Sequence, residues 1–458
     1  LTLLLTSPLA AQPRADENPY SVSGKALASG LTGWLIASSG PAASAVPLIF
    51  ISPAQPPETP SAETPAPATA PPADEASAPE TDADQASVDV DPELAAMIEK
   101  VDAQVRDWYD TLGEMQAVQI RYHNGTGEKD EEYHRQFRKL EAESRDKHQQ
   151  AFDAAIQLAQ RQPQGIPGVW DFLISSVNLR GELDWYESVA AAAQAIKDLE
   201  ANSEAIELDF PLLDAYLGRA LVTEGEYERA GPPLQRALQV KEPEETDFRL
   251  LTMLERLPAE WEREQRLRKA DADSNLPRVV LHTTRGDVVI ELFEEQAPNT
   301  VANFITLVEQ GFYDQVPFYT VIEHMFAISG DPIGDGSGDA GYRIPDEYDA
   351  TDSRHAFRGS LLMSKLPDPG KEPGFTVPDT ASSQFMLTYL PLPIDRGEYT
   401  VFGRVIEGMS HASVLTRLNP DEKKGENTRV LPPDRILSAE VLRKRDHPYD
   451  VERIEYRQ

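Results

Sequence analysis

Cysteine is absent from all 458 residues. Disulfides, thiolate metal sites and cysteine nucleophiles are therefore excluded, and the redox state of the surroundings places no constraint on the chain. Basic side chains are scarce beside acidic ones: 43 Lys and Arg stand against 77 Asp and Glu, for a formal net charge of -34 at pH 7. Such a chain repels nucleic acid and anionic membrane surfaces, which argues against a DNA- or RNA-binding role. A basic n-region is also missing at the start. Leu1 to Gln12 reads as the apolar core of an export signal followed by small residues.

What is present divides the chain into segments, and its length suits two or three domains. Lys25 precedes an uncharged stretch, Ala26 to Gly40, and Ala43-Ser44-Ala45 fits a small-x-small cleavage pattern. The uncharged run continues to Ile51, long enough to span a bilayer, but its glycines, serines and prolines disfavour a membrane anchor. Residues 1–51 are expected to direct export, to a periplasm or outside the cell. From 52 to 91 the composition narrows to Pro, Ala, Glu, Thr, Ser and Asp. Proline favours extended geometry and few apolar groups remain to offset ordering entropy, so a stiff acidic disordered tether is expected.

Residues 92–272 follow a helical period. Leu94, Met97, Ile98, Val101 and Val105 share one face. Asp214 to Gly218 opens a helix, Gly225 to Tyr227 makes a turn, and Ala230, Leu234, Ala237 and Leu238 line the return. This unit resembles a tetratricopeptide repeat, in which small residues let antiparallel helices approach closely. A looser copy runs from Trp170 to Leu199, with Asp184-Trp185-Tyr186 at its turn. Stacked repeats present a concave surface for a protein partner; a plain helical bundle explains the same small residues equally well.

At Leu276 the period changes to alternation. Val279, Leu281 and Thr283 lead to a turn at Gly286, and Val288, Ile290 and Leu292 lead away, the pattern of a hairpin. Pro298 opens a helix with Val301, Phe304, Ile305 and Val308 as its buried stripe, ended by Gly311. Short strands follow to Val405, then a second short helix over Ser410 to Leu418 and a last alternating run from Ile436 to Leu442. The fold class is thus a multidomain α and β chain, all-α first and then an antiparallel β-barrel with two helices over 276–443, followed by a tail at 444–458.

Seven stretches of this last region, in order, carry a family resemblance: Thr284 to Phe293 (TRGDVVIELF), Ala297 to Phe304 (APNTVANF), Gly311 to Asp314 (GFYD), Phe318 to Ile322 (FYTVI), Gly330-Asp331-Pro332, Ser383-Gln384-Phe385 and Tyr399 to Met409 (YTVFGRVIEGM). Together they are similar to cyclophilin-type peptidyl-prolyl cis-trans isomerases. The resemblance implies an eight-stranded barrel capped by two helices, with a shallow groove for proline-containing polypeptides and no cofactor or metal. Rotation about an X-Pro bond is opposed by amide conjugation worth roughly 18–20 kcal/mol. Catalysis needs an apolar pocket for the ring and a donor that favours the twisted amide over the planar one. In the family an arginine supplies that donor and a glutamine orients it. Here those two positions are Thr320 and Ile328, so weak isomerase activity is expected, with a binding module or chaperone scaffold as the alternative. The resemblance places the apolar pocket at Met325, Phe326, Met386, Ile394 and Tyr399, and a substrate-backbone contact at Gln384. His324 and Arg343 are further candidates to replace the missing donor.

Overall fold

The computed structural model describes residues 91–454 apart from 125–128, 164–165, 167, 203–209, 349–352, 369, 372–374, 395–397 and 420–432. The expected export segment and all of the tether except Asp91 lie outside the described residues. Eight helices come first: α1 (Pro92–Asn124), α2 (Asp130–Arg161), α3 (Val169–Glu182), α4 (Val189–Asn202), α5 (Leu213–Glu224), α6 (Tyr227–Ala237), α7 (Glu245–Met253) and α8 (Leu257–Asp273). No helix among the described residues is long and apolar enough to cross a membrane.

The first two helices lie antiparallel. Lys147 pairs with Asp107 at 2.9 Å, Arg161 with Asp91 at 3.0 Å, and the Trp108 indole donates to Ser144 at 3.0 Å. The apolar stripe of α1 read from the sequence packs into one core with α2 to α7. Gly218 on α5 shows why small residues recur here: a Cβ there would lie 2.6 Å from the Leu234 side chain of α6. Helix pairs therefore form where the two repeat-like segments were read, with Asp184 to Tyr186 in the α3–α4 turn.

The rest is β1 (Arg278–Thr283), β2 (Gly286–Leu292), α9 (Pro298–Glu309), β3 (Thr320–Ile322), β4 (Phe326–Ser329), β5 (Ser360–Met363), β6 (Phe385–Thr388), β7 (Val401–Glu407), α10 (Met409–Ser413) and β8 (Ile436–Arg443). The strands form one antiparallel sheet in the order β3-β4-β6-β5-β7-β2-β1-β8. Its two ends meet just before β3 and β8: Phe318 N–H donates to Asp434 O and Ile436 N–H to Val316 O, each at 2.8 Å. The curled sheet and α9 enclose a core of Val279, Ile290, Phe304, Phe385 and Phe402. Gly286 closes the first hairpin with φ 126°, an angle side-chained residues avoid, and a Cβ there would meet His411 at 2.7 Å. The second short helix stops at Ser413 rather than reaching Leu418. Beyond it the backbone donors are already taken: Thr416 N–H bonds Asp434, and Leu418 and Val321 exchange two bonds at 2.8 and 2.9 Å.

The helices and the barrel share a continuous seam. Phe357 and Leu390 of the barrel belong to the helical core, where Trp261 of α8 meets Phe357 edge-on at 4.9 Å. Around that apolar contact lie three buried charge clusters. Arg285 is held by Asp434 at 2.9 Å and by Glu141 of α2, while Arg138 of α2 reaches Asp434 at 2.9 Å. Arg354 pairs with Glu264 and, at 2.7 Å, with Asp271 of α8. Asp184 meets His324 at 2.7 Å and Arg417 at 2.8 Å. Removing one partner of such a buried pair typically costs about 3–5 kcal/mol, because the remaining charge stays in low dielectric.

Burial pushes the Asp184 carboxyl up, but His324 and Arg417 outweigh it and hold the group at about 2. Asp434 behaves alike: burial raises it, and Arg285, Arg138 and the hydrogen bonds it accepts bring it down to about 2. Both therefore titrate below the ordinary 3.8. Their stabilisation is complete above about pH 4 and is lost as pH falls through about 2. Urea midpoints are expected to drop most steeply across that window, and Asp434→Asn to flatten part of the drop. A midpoint constant over the window, or one unaffected by the substitution, would contradict the seam described here.

Candidate functional site

Alternation along a strand sends neighbouring side chains to opposite faces, and the register of four pairings sorts them into two rows. Val321, Ala327, Leu387 and Leu361 are cross-strand partners and enter the barrel core. Thr320, Ile328, Met386, Leu362 and Val401 are partners in the next row, which faces outward. The last four of these line or border a separate apolar cluster, against which Met325, Phe326, Ile394 and Tyr399 also pack. The five residues assigned to a proline pocket by resemblance are thus brought together on the outside of β4 and β6. Thr320 lies directly across from Ile328, and Ile328 directly across from Met386. A short neutral hydroxyl and an aliphatic chain thus stand side by side at the edge of the apolar cluster, at the two positions where the resemblance implies a long charged donor and its orienting amide.

Beside the apolar cluster is a polar cleft of about 170 Å³ lined by Tyr319, Arg343, Ser364, Lys365, Thr380 and Gln384, among others. The Gln384 amide is engaged within the protein. Its Nε2 donates to the carbonyls of Gly336 and Gly338 at 3.1 and 2.7 Å, and its Oε1 accepts from the Tyr319 hydroxyl at 2.6 Å. Burial, then the nearby Asp331 charge, pushes the Tyr319 phenol up, so it stays a donor at neutral pH. Asp331 and Asp335 organise the adjoining loop: Asp331 accepts from the N–H groups of Ile333, Asp335 and Gly336, and Asp335 accepts from both the N–H and the hydroxyl of Ser337. The proline-rich excursion after Met363 folds back as a narrow ladder, with Val377 N–H on Leu366 O and Asp368 N–H on Phe375 O, each at 2.9 Å. It leaves Leu366 and Phe375 exposed on the rim.

Two of the sequence-based candidates for a substitute donor part company. Arg343 does line the cleft. His324 does not; it is buried in the seam, with Nδ1 on Asp184 and Nε2 3.0 Å from Arg219. The reason is the turn between β3 and β4, which carries Met325 outward to the pocket and His324 inward to the helices. Lys365 escaped the sequence reading. It is nearly buried, pairs with Asp346 at 3.0 Å, and sits 5.3 Å from the Tyr399 ring centroid. Its signal was weak but present: Met363, Ser364 and Lys365 extend the strand that pairs with Phe385 and Met386.

With this geometry in view, the comparisons are specific. A family model described as Cyclophilin type peptidyl-prolyl cis-trans isomerase/CLD matches residues 278–441. Peptidyl-prolyl cis-trans isomerase ppi1 of Schizosaccharomyces pombe is 35% identical over 170 residues, which is 36% of this chain and 100% of the relative. A peptidyl-prolyl cis-trans isomerase of Helicobacter pylori is 39% identical over 132 residues, 28% of this chain and 74% of its own. Among solved structures, a cyclophilin type peptidyl-prolyl cis-trans isomerase of Cryptosporidium parvum, crystallised in the presence of the dipeptide Ala-Pro, is 28% identical, covering 36% of this chain and 99% of its own at a TM-score of 0.30. The chain belongs to the cyclophilin-type peptidyl-prolyl cis-trans isomerase family through its C-terminal barrel.

The Gln384 network predicts a measurable structural effect. Gln384→Leu leaves the Gly336 and Gly338 carbonyls and the Tyr319 hydroxyl without their partner. These bonds are part-buried at the cleft, and each is worth about 1 kcal/mol, so the urea midpoint should fall. An unchanged midpoint would show that the amide is not a strut of this loop.

Proposed function

We propose that the chain binds proline-containing polypeptides in the groove formed by Met325, Phe326, Met386, Ile394 and Tyr399, and isomerises their X-Pro bonds slowly. The observation that carries this reading is the outward row Thr320–Ile328–Met386, which joins an intact apolar pocket to an altered donor edge. The pocket offers ring-sized apolar contact with adaptable methionines. Loss of one preorganised donor at a transition state costs about a hundred- to thousandfold in rate. Any turnover by the natural sequence draws its donor from the cations of the adjacent cleft, Arg343 and Lys365. A second reading, a binding module that holds proline peptides without turning them over, is favoured by the same Thr320 and Ile328.

The helical region is read as a tetratricopeptide-like unit that engages a protein partner, supported by the paired helices α3–α4 and α5–α6. The chain is read as exported, supported by the uncharged run that ends at Ile51 and by Ala43-Ser44-Ala45. The mass of the N-terminal peptide from native material tests the export reading; an intact residue 26–51 segment on a cytoplasmic protein would contradict it.

The assay for activity uses the full chain, since the barrel's Arg285, Arg354 and His324 are buried against the helices. Natural protein is expected to accelerate cis–trans exchange of an Ala-Pro peptide only weakly. Thr320→Arg should raise kcat/KM by about tenfold, and Thr320→Arg with Ile328→Gln by about a hundredfold. Folded variants that bind the peptide but gain nothing would remove the isomerase reading and leave the binding module.

A further inference from the structure

The turn between β3 and β4 is Glu323-His324-Met325. His324 holds φ 59°, a left-handed angle uncommon for a side-chained residue. The helical region grips it there. The backbone N–H of His324 donates to Asp184 Oδ2 at 3.0 Å, and its Nδ1 meets Asp184 Oδ1 at 2.7 Å. Arg219 Nη1 lies 3.0 Å from its Nε2, and Arg249 Nη2 donates to its carbonyl at 2.7 Å. Nδ1 faces the carboxylate of the α3–α4 turn and Nε2 the guanidinium of α5. Every polar atom of His324 is thus held by α5, α7 or the α3–α4 turn. The clamp is itself braced: Arg219 is fixed bidentately by Asp247 at 2.7 and 2.9 Å, and Asp184 by Arg417 at 2.8 Å.

The next residue along the chain is Met325, which packs into the apolar cluster of the groove, with its carbonyl accepting from Tyr389 N–H at 2.8 Å. The opposite side of the same cluster is gripped too. Ala356 belongs to it, and flanking residues are held by Arg263 on the Ser353 carbonyl, by Glu264 and Asp271 on Arg354, and by Trp261 on Phe357.

We propose that the helical region sets the shape of the groove through this clamp, and that Asp184, Arg219 and Arg249 are positioning residues acting on Met325 through His324. The inference rests on the reading of Met325 as a wall of the proline pocket. A partner that shifts α5 or the α3–α4 turn is then coupled to peptide affinity, because two sites that bias one element exchange free energy reciprocally.

Methionine-methyl NMR of the full chain tests it, the sequence having only 7 methionines. In the free protein, Asp184→Asn and Arg249→Gln are each expected to move the Met325 methyl signal while that of Met97 on α1 stays in place. Affinity for an Ala-Pro tetrapeptide should weaken about fivefold or more, with KM rising and kcat nearly unchanged. A folded variant with an unmoved Met325 signal and unchanged affinity overturns the proposal. If Asp184→Asn does not fold, Arg249→Gln, which keeps the carboxylate and removes one bond, decides alone on the same criteria. If the peptide moves neither Met325 nor Met386 in natural protein, the pocket reading fails instead. A Met325 shift in the free variants would then still establish the clamp.

Discussion

Asp184 is fully buried at the turn between two helices, and its carboxylate is paired across the seam with residues from the other half of the chain, His324 and Arg417. A charge in such a place is expensive unless paired and hydrogen-bonded, so the carboxylate ties the helices to one particular face of the barrel. The same logic repeats at Asp434 with Arg285 and Arg138, and at Arg354 with Glu264 and Asp271. Apolar contact between Trp261 and Phe357 supplies adhesion; the charge pairs supply register. The helical half is consequently part of the barrel's architecture rather than a separate body beside it.

From that register follows the arrangement at the groove. The barrel core takes one row of each strand, and the outward row leaves a cluster of Met325, Phe326, Met386, Ile394 and Tyr399 at the surface. Its donor edge is Thr320 and Ile328. The apolar half of the chemistry, holding the ring, depends on volume and polarity and tolerates these exchanges. The electrostatic half depends on one donor at one distance, and threonine cannot reach it. On the proposed reading, binding is retained and turnover diminished because the second half is changed and the first kept.

Much of this was legible in the sequence where the information is local. Alternation around Gly286, the stripe on α9 and the ordered motifs from Thr284 to Met409 marked the barrel, and the motif alignment picked five apolar residues that pack in one cluster. The helix pair around Gly225 was readable from small residues and turn chemistry. Less legible was anything set by long-range partners. His324 was a candidate to replace the missing donor at the groove, yet its neighbours lie 140 and 105 residues away in Asp184 and Arg219. Gln384 looked like a substrate contact, and its amide is bonded to a loop nearly fifty residues earlier. The shortened α10 and the partly buried cation at Lys365 likewise depend on Asp434 and Asp346, which no local pattern connects to them.

The central claim is that the pocket is kept while the donor is changed, and a structure of the full chain with a bound Ala-Pro peptide tests it most directly. The account predicts a proline ring seated against Phe326, Met386 and Tyr399, with Thr320 too short to reach the peptide. A peptide lodged on the helices, or a proline ring seated away from Phe326, Met386 and Tyr399, would contradict it.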